Sequence, residues 1–337
     1  MHYQTKMLTK NEIEEAAQLI RRGECVAFPT ETVYGLGAHA LDKEAVVKIY
    51  AAKGRPADNP LIVHLYNIAQ LSQVALRWPR EAELLMEKFW PGPLTLVLER
   101  KSEVPEIISA GLHTVAVRIP AHPLALELLK KAGVPVAAPS ANVSGRPSPT
   151  RASHVLEDLD GKIAAIIDGG ETGWGVESTV LDCTIAPFRL LRPGAVTLEQ
   201  LRQHVDVVMT EPASQQGLPL SPGIKYRHYR PKARVILFTG KDVQRTIACQ
   251  LTESNEQKLK TVVLAYSENI ASYENADTLD LGSRGDLQQA ASRIYHLLRE
   301  VDHRGYQLVL VEGVDESGLG MTIMNRLRAA ATEIVST

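Results

Sequence analysis

Residues 114–120 read TVAVRIP, a stretch with the alternating pattern of a buried β-strand. Because successive side chains of a strand point to opposite faces, the three large apolar residues share one face, while Thr114, Ala116 and Arg118 share the other. An arginine on such a small, apolar face either extends to solvent or binds a carboxylate or phosphate through its guanidinium fork. The pattern therefore predicts a strand and leaves both roles of Arg118 open.

Strands and helices alternate on both sides of this stretch. Apolar, β-branched segments predict further strands in CVAF, PLIVHL, LTLVLE, VPVAAP, AAIID, STVLDC and FRLLRP. Helical periodicity and caps predict helices from the Thr9–Glu12 capping box to Gly23, and near 43–53, 68–75, 80–89, 123–131 and 197–203. This mixture predicts an α/β domain over residues 1–205.

A second domain follows a segment without regular structure. Residues 206–232 are rich in small, polar, Pro and Gly residues and show no helical or strand period, which is typical of a linker. After it, RVILFTG, TVVLAY and LVLVEG alternate with helices predicted near 242–253, 286–302 and 320–332. Such an order favours a small parallel sheet, so we predict a second α/β domain over residues 233–337.

Composition narrows the class of protein. No run of the sequence reaches the roughly 18 apolar residues of a membrane span, and no apolar signal core opens the chain, so we expect a cytoplasmic protein without membrane contact. The formal net charge of −2 argues against broad coating by nucleic acid but leaves local basic patches open. Cys25, Cys183 and Cys249 are far apart, and we interpret them as ordinary buried thiols.

Two polar segments are candidate binding sites. KGRPADNP brings Lys53, Arg55 and Asn59 together, which suits a polyphosphate, although Lys53 at a helix end could equally offset the helix dipole beside a solvated Arg55. APSANVSGRPSPT follows a buried strand and offers hydroxyls and an amide, in Ser140, Asn142, Ser144 and Ser148. The alternative is that these side chains only cap their own turns.

Other polar residues lie at or within strands. Ser178 and Arg192 begin or end strands, and turn chemistry alone also explains their neighbouring glycines and proline. His64 lies inside an apolar strand, where a hydrogen-bonded core histidine is the usual reading. The chain has no phosphate loop, dinucleotide fingerprint, nucleophile elbow or metal-binding H-E-x-x-H and C-x-x-C motifs. The polar set therefore suits binding and positioning of anionic reactants better than covalent catalysis.

Eight blocks follow one another along residues 1 to about 200: FPTETVYGLGA, KGRPADNPLIVHL, WPGPLTLVL, AGLHTVAVRIPAHP, AAPSANVSGRPSPT, IIDGG, GVESTVLD and LLRPG. Together they resemble the threonylcarbamoyl-AMP synthase family, whose domain is called YrdC-like. SPGIKYRHYRPKA and GLGMTIMNRLRAA resemble the longer, two-domain form of that family. The resemblance implies a twisted mixed-sheet α/β domain with a concave basic cavity, a linker, and a small C-terminal Rossmann-like α/β domain.

The resemblance also implies a reaction. The family condenses L-threonine, bicarbonate or CO₂, and ATP with Mg²⁺ into threonylcarbamoyl-AMP and pyrophosphate, which is a nucleotidyltransferase reaction. The adenylate serves the N6-threonylcarbamoyladenosine (t6A) modification at position 37 of tRNA. A downstream tRNA threonylcarbamoyl transferase machinery and a weak tRNA contact are the implied partners. No protein side chain is expected to bind a metal.

Site residues carry over by motif. The resemblance implies a threonine site formed by Thr32, His64, Arg118, Ala138 and Ser178. It implies an ATP site formed by Arg55, Asn59, Thr114, Ser140, Ser148, Arg192 and, from the linker, Tyr226. It implies catalytic roles, close to the transferred phosphate, for Lys53, Arg55, Ser140 and Asn142. We expect the linker with Tyr226 to act as a lid as well as a tether.

Two other functions remain open at this point. A non-catalytic RNA-binding module is supported by KYRHYRPKAR, in which Lys225, Arg227, Arg230, Lys232 and Arg234 surround two tyrosines. A carbamoyl-transfer domain that acts on another acceptor is the second alternative, although the chain lacks an acylphosphatase-like or zinc-finger-like segment.

Overall fold

The computed structural model describes residues 4–210, 229–273 and 275–337 of the 337-residue chain. The residues group into two compact units. The N-terminal unit comprises Met1–Ser144, Ser148–Gly173 and Glu177–Tyr226, and the C-terminal unit comprises Gly145–Pro147, Trp174–Val176 and Arg227–Thr337. The domain boundaries at residues 205 and 232 stay predictions, because most of the proposed linker falls outside the described ranges.

The N-terminal unit is built on a mixed sheet. Its strands are β1 (Lys6–Leu8), β2 (Val26–Phe28), β3 (Gly35–His39), β4 (Ile62–His64), β5 (Leu94–Glu99), β6 (Thr114–Arg118), β7 (Val136–Ala137), β8 (Ala165–Ile167), β9 (Thr179–Asp182), β10 (Phe188–Arg192) and β11 (Val207–Met209). Its α-helices are α1 (Ile13–Arg21), α2 (Lys43–Lys53), α3 (Arg80–Phe89), α4 (Glu106–Ser109), α5 (Pro123–Ala132), α6 (Ala152–Leu159) and α7 (Leu198–Arg202), with 3₁₀ turns at Lys10–Glu12 and Ile68–Gln73. Among the described residues the strand order is β1-β8-β2-β3-β7-β4-β6-β5-β9-β10-β11.

Local sequence explains the ends of the first helices. The side chains and backbone of Thr9 and Glu12 form the predicted capping box before α1. Asp42 caps the amino end of α2, since its side chain accepts hydrogen bonds from the N–H groups of Glu44 and Ala45. Gly54 ends α2 in the left-handed conformation, with φ of 58°. The predicted α2 with Lys53 in its last turn is therefore observed.

Strand pairing fixes where the central side chains meet. β6 lies between β4, to which it is parallel, and β5, to which it is antiparallel. In this register His64 is the neighbour of Arg118. β4 also pairs with β7, just before Ser140. The predicted strand at TVAVRIP is thus a central strand of the sheet, and Arg118 ends it.

The C-terminal unit is a parallel sheet with helices. Its elements are β12 (Arg234–Thr239), α8 (Val243–Glu256), β13 (Thr261–Ala265), a 3₁₀ segment Ser267–Tyr273, β14 (Asp277–Asp280), α9 (Leu287–His303), β15 (Leu308–Glu312), α10 (Leu319–Ala330) and β16 (Glu333–Ser336). The strand order is β14-β13-β15-β12-β16, and every described pairing is parallel. The Rossmann-like α/β arrangement is confirmed.

The structure differs from the sequence predictions mainly in short elements. β11 lies within the stretch predicted to lack strands, and the sequence also did not predict the strands β1, β3, β14 and β16 or the helices α4 and α6. Val208 and Met209 of β11 are 38% and 50% exposed. The strand therefore lacks the alternation of buried and exposed residues from which a strand is predicted. The predicted helix at 68–75 is a 3₁₀ segment instead. Cys249 is exposed, so its interpretation as a buried thiol was wrong, whereas Cys25 and Cys183 are buried.

No helix within the described ranges combines the length and apolarity that crossing a bilayer requires. The helix α1 packs against α5 and against the strands β2, β3 and β8. For α1 and α5 the shared core includes Ile13, Ile20, Leu128 and Leu129.

Candidate active site

Arg118 lies at the end of β6 and is only 3% exposed. Its Nη1 donates a hydrogen bond of 2.9 Å to Oγ1 of Thr32, which is itself buried. Thr32 Oγ1 also lies 2.8 Å from Oγ1 of Thr30. The arginine therefore does not extend to solvent, and the first alternative from the sequence is excluded.

The fork edge of Arg118 has no hydrogen-bond partner. Its buried Nε and Nη2 atoms make no hydrogen bond within the described residues, although Oε1 of Glu31 lies 2.6 Å from Nη2. Both carboxylate oxygens of Glu31 are likewise buried without a hydrogen bond, so this contact is an ion pair without directed N–H···O geometry. A buried guanidinium whose Nε has no partner, and whose Nη2 already faces a carboxylate, is an arrangement that suits binding of a carboxylate.

His64 lies beside Arg118 on the neighbouring strand. Burial, and then the Arg118 charge, lower the pKa of His64 from 6.5 to about 3. Its Nδ1 is 3.3 Å from the carbonyl oxygen of Ile62, and its ring packs edge-on against Phe28 with centroids 6.1 Å apart. His64 is therefore a neutral ring at physiological pH, with Nδ1 assigned as the protonated nitrogen that donates to Ile62.

Ser178 and Arg192 are held together at the edge of β9. Ser178 Oγ lies 2.8 Å from Oγ1 of Thr95 on β5. Arg192 donates from Nε and Nη2 to the Ser178 carbonyl oxygen at 3.1 and 2.9 Å, and from Nη2 to Oγ at 3.2 Å. The arginine thus positions Ser178. Both residues are buried, so turn chemistry alone does not account for them.

Lys53 anchors the loop that carries Ser140 and Asn142. Its Nζ donates to the carbonyl oxygens of Ser140 and Asn142, each at 2.5 Å, although these two residues follow it by nearly ninety positions. Burial, and then Arg55, lower the pKa of Lys53 well below its ordinary value, and Asp158 opposes the shift. The structure therefore gives Lys53 a positioning contact, and its action on a phosphate stays a prediction.

The loop itself is tied by short hydrogen bonds. Ser140 Oγ donates to Oδ1 of Asn142 at 2.6 Å, and Ser148 Oγ donates to Oε1 of Glu177 at 2.6 Å. Ser148 is fully buried and Glu177 is 7% exposed. Ala138 precedes this loop, and its N–H donates to the Ile62 carbonyl oxygen at 2.9 Å. The loop is thus fixed against the sheet.

Asn59 offers a second unfilled group. It is 1% exposed, and neither Oδ1 nor Nδ2 has a hydrogen-bond partner within the described residues. Its carbonyl oxygen accepts from Tyr50 Oη at 3.2 Å and from Arg55 Nη2 at 3.3 Å, and Arg55 also donates to the Pro60 carbonyl oxygen at 3.1 Å. Because a buried amide without partners costs free energy, Asn59 favours a polar ligand here.

Thr114 begins β6, on the same face as Arg118, and is partly exposed. Thr114 and Arg118 are four positions apart along the strand, which corresponds to roughly 13 Å. Tyr226, by contrast, lies outside the described residues. The structure therefore brings Thr32, His64 and Arg118 together, Lys53 with Ser140 and Asn142, Arg55 with Asn59, and Ser178 with Arg192.

Glu31, Thr30 and Thr95 touch this site but were missed by sequence reasoning. One signal was available for Glu31, which is an acidic residue between two threonines in the otherwise apolar stretch FPTETVYGLGA. Burial lowers the pKa of His122, and the negative charge of Glu31 partly offsets this lowering. Its pairing with Arg118 depends on tertiary packing, which no local pattern reports.

Two further observations concern metal-binding groups and cavities in the described residues. Among residues 4–210, 229–273 and 275–337, no group of three His, Cys, Asp or Glu side chains is arranged to bind a metal ion. A cavity of about 720 Å³ lies elsewhere in the N-terminal unit, along residues 77–81 and 183–188, and none of the predicted site residues lines it. We place the site at Arg118, because the unfilled buried donors are there.

Sequence comparison identifies related proteins for both parts of the chain. Residues 18–194 match the family described as "Telomere recombination" (Sua5, YciO, YrdC), and residues 196–332 match the one described as "Threonylcarbamoyl-AMP synthase, C-terminal domain". The curated "Threonylcarbamoyl-AMP synthase" of Pyrococcus abyssi is 49% identical over 325 residues, which cover 95% of this chain and 94% of that protein. The protein of the same name from Bacillus subtilis is 46% identical, over 95% and 93%.

Structural comparison gives the same relation. A solved structure described as P. abyssi Sua5 complexed with L-threonine is 46% identical, with a TM-score of 0.92 over 99% of this chain and 100% of that one. A shorter protein of the same curated name, from Pseudomonas syringae, is 35% identical over 188 residues, which cover all of it but 56% of this chain. The chain belongs to the threonylcarbamoyl-AMP synthase family, in its two-domain form.

Proposed function

We propose that this chain is an L-threonylcarbamoyladenylate synthase, which makes threonylcarbamoyl-AMP and pyrophosphate from L-threonine, bicarbonate or CO₂, and ATP. The observation that carries the proposal is the buried guanidinium of Arg118, whose Nε has no partner and whose Nη2 has only the Glu31 ion pair within the described residues, beside Thr32 and a neutral His64. Family membership supplies the reaction class, and the P. abyssi relative was solved with L-threonine.

Threonine binds with its carboxylate on Nε and Nη2 of Arg118. Thr32 holds the other side of the guanidinium, so the fork keeps one orientation. Neutral His64, with Nδ1 directed to Ile62, has the lone pair of Nε2 left to accept a hydrogen bond from the substrate. Ala138 and Ser178 complete the proposed threonine site. Glu31 carries the opposite charge to Arg118 and suits the ammonium group of the zwitterion.

The reaction needs no nucleophile from the protein. The neutral threonine amine forms an N–C bond to CO₂ and loses a proton, which gives a carbamate. A carbamate oxygen then forms a P–O bond to the α-phosphorus of ATP, and the bond to pyrophosphate breaks. Protein groups bind, orient and offset charge, which is how phosphoryl and nucleotidyl transfer are usually accelerated.

ATP lies along the other polar groups. Asn59, with its unpartnered amide, and Arg55 bind the nucleotide together with Thr114, Ser140, Ser148 and Arg192. Lys53 holds the Ser140–Asn142 loop at the transferred phosphate. The roughly 13 Å between Thr114 and Arg118 is long enough for an amino acid and a phosphate in line.

Magnesium enters as part of the substrate. In this proposal Mg²⁺ is held mainly by phosphate oxygens and water, as it commonly is at nucleotide sites. The t6A role, a cytoplasmic location, the downstream transferase machinery and closure of Tyr226 over the nucleotide are further parts of the proposal. Tyr226 rests on the resemblance alone.

An RNA-binding module is less well supported. Of its basic segment, Lys225 and Arg227 lie outside the described residues. Arg230 Nη2 donates to the Ala331 carbonyl oxygen at 2.8 Å, and Arg234 forms an ion pair of 2.5 Å with Glu333. Two of the five cations are thus already in contact with the C-terminal unit itself, which leaves a smaller basic surface for phosphates.

A turnover assay tests the proposal. The protein is incubated with ATP, Mg²⁺ and bicarbonate, with or without L-threonine, and pyrophosphate is measured. We expect pyrophosphate release that requires both threonine and bicarbonate. Tight RNA binding without threonine-dependent pyrophosphate would contradict the proposal and favour the RNA-binding alternative.

A further inference from the structure

The C-terminal unit contains a cavity of about 470 Å³ that plays no part in the proposed reaction. It is lined by the turn between β12 and α8, by Asn269 and Arg284, and by residues 313–315 after β15. All of these residues lie at or beyond the carboxyl ends of the parallel strands. Cavities of this size hold small molecules such as metabolites.

The strand order places this cavity at a switch point of the sheet. β12 leads through α8 towards β13 on one side, whereas β15 leads through α10 to β16 on the other side of β12. Because crossovers between parallel strands are right-handed, connections in opposite directions put their helices on opposite faces. Ile236, Phe238 and Ile247 pack together on the α8 face, and α10 packs against α9. The crevice between two such neighbouring strands is where open α/β sheets bind ligands.

One wall of the cavity carries positive charge. α8 begins at Val243, and the side chain of its N-cap residue Asp242 makes no capping hydrogen bond, so the first-turn N–H groups keep their partial positive charge. Lys241 directly precedes the N-cap and is exposed. Within the described residues its side chain has no hydrogen bond or ion pair.

A buried carboxylate orients the second wall. Glu312 is fully buried and accepts hydrogen bonds from Tyr273 Oη at 2.6 Å and from Asn269 Nδ2 at 3.0 Å. Arg284 lies 3.4 Å from Glu312, and its guanidinium lies 4.4 Å from the ring centroid of Tyr266. Because a buried, fully bonded carboxylate holds its donors in place, Asn269 and Arg284 are preorganised at the cavity.

The family comparison shows that a relative with the same curated name is too short to contain this unit. A relative covered completely by 188 residues of this chain cannot contain both units, yet it has the same curated name. The reaction named for that protein therefore does not require the C-terminal unit.

We propose that the cavity binds a phosphorylated ribose compound of mononucleotide size. Its phosphate lies at the amino end of α8, between Lys241 and Arg284. Its ribose hydroxyls donate to the carboxylate of Asp315, which follows β15. Lys241 contacts the phosphate from the α8 side, and Arg284 contacts it from the second wall, where its Nη2 donates to the Gly313 carbonyl oxygen at 3.4 Å.

Hydrogen exchange on the full chain tests this site, with AMP as the probe and adenosine as the matched control. We expect AMP to slow exchange of the amides of residues 243–246, and adenosine at the same concentration to leave them unchanged. No protection by millimolar AMP overturns the site, and equal protection by adenosine overturns the phosphate assignment. Weaker protection by 2′,3′-dideoxy-AMP is expected from the ribose contact, and equal protection overturns that contact.

Charge reversal at each end of α8 shows whether AMP protection depends on a lysine at the proposed phosphate position or on the net charge of the unit. Lys241→Glu is expected to weaken AMP protection at least tenfold, while Lys258→Glu, at the far end of the same helix, changes it less than twofold. Equal weakening by both variants overturns the proposed phosphate position. The readout is confined to C-terminal amides, so binding of AMP in the N-terminal unit does not affect it. If AMP does not bind this cavity, the expected result of the threonine-dependent pyrophosphate assay stays the same, so the two proposals can fail separately.

Discussion

Arg118 differs from Arg77 in how its fork edge is used. Nε and Nη2 of Arg77 both bind the Glu99 carboxylate, at 2.6 and 2.7 Å, on the surface of the N-terminal unit. The same edge of Arg118 is buried, its Nε has no partner within the described residues, and its Nη2 has an ion pair with Glu31 but no directed hydrogen bond. Since an unsatisfied buried donor is costly, the difference indicates a ligand carboxylate at Arg118.

Arg118→Lys keeps the charge but removes the fork. We expect the KM for threonine to rise roughly 10- to 100-fold, because a bidentate charged contact contributes about 1.5–3 kcal/mol, while the KM for ATP changes less than twofold. Steady-state kinetics with each substrate varied in turn measures the split. Arg77→Lys is the matched control, and both its KM values should stay unchanged. Equal rises in the two KM values for Arg118→Lys would refute the carboxylate role.

His64 makes the N-terminal unit sensitive to acid. Its pKa is about 3 in the folded protein against 6.5 ordinarily, so the unfolded chain binds the proton more tightly. Stability is therefore lost as pH falls through 6.5 towards 3, by about 2 kcal/mol between pH 7 and pH 5. We expect His64→Gln to lose this part of the pH dependence in urea unfolding followed by tryptophan fluorescence. The same pH 7 to pH 5 difference in variant and wild type would show that His64 is not its source.

At the scale of elements, the site depends on contacts between segments far apart in sequence. The last turn of α2 holds the loop after β7 through Lys53, and the end of β6 meets the end of β4 through their register. The sequence predicted α2, the strands β4, β5 and β6 and the shared face of Thr114 and Arg118, because caps and alternation are local, but it did not predict β3. It did not predict Glu31 beside Arg118 or Lys53 on the Ser140 carbonyl, because both contacts arise from packing.

Lys53→Met removes the amine but keeps much of the apolar side chain. We expect the KM for ATP to rise at least tenfold and the amides of residues 140–144 to exchange faster, because two carbonyl contacts are lost. Kinetics and hydrogen exchange check the two effects. Lys48→Met is the control, since Lys48 lies on the same helix as Lys53 but pairs with Glu24, outside the site. A higher KM without faster exchange would show that Lys53 acts only on the phosphate.

On the scale of the whole molecule, sequence motifs predicted the candidate site of the N-terminal unit but not the cavity of the C-terminal unit. The paired polar blocks over residues 1 to about 200 carried the family resemblance, and two family matches then covered residues 18–194 and 196–332. The cavity of the C-terminal unit carried no motif. It arises from strand order, since β15 inserts between β12 and β13, and strand order is not a local property of sequence.

The most direct test of the central claim follows carbon from bicarbonate into the product. The full chain is incubated with ¹³C-bicarbonate, L-threonine and ATP with Mg²⁺, and adenylates are analysed by mass spectrometry. The account predicts threonylcarbamoyl-AMP with one labelled carbon, formed together with pyrophosphate and greatly reduced in Arg118→Lys at low threonine. Release of pyrophosphate without a labelled threonine adduct, or ADP and phosphate as the products, would contradict it.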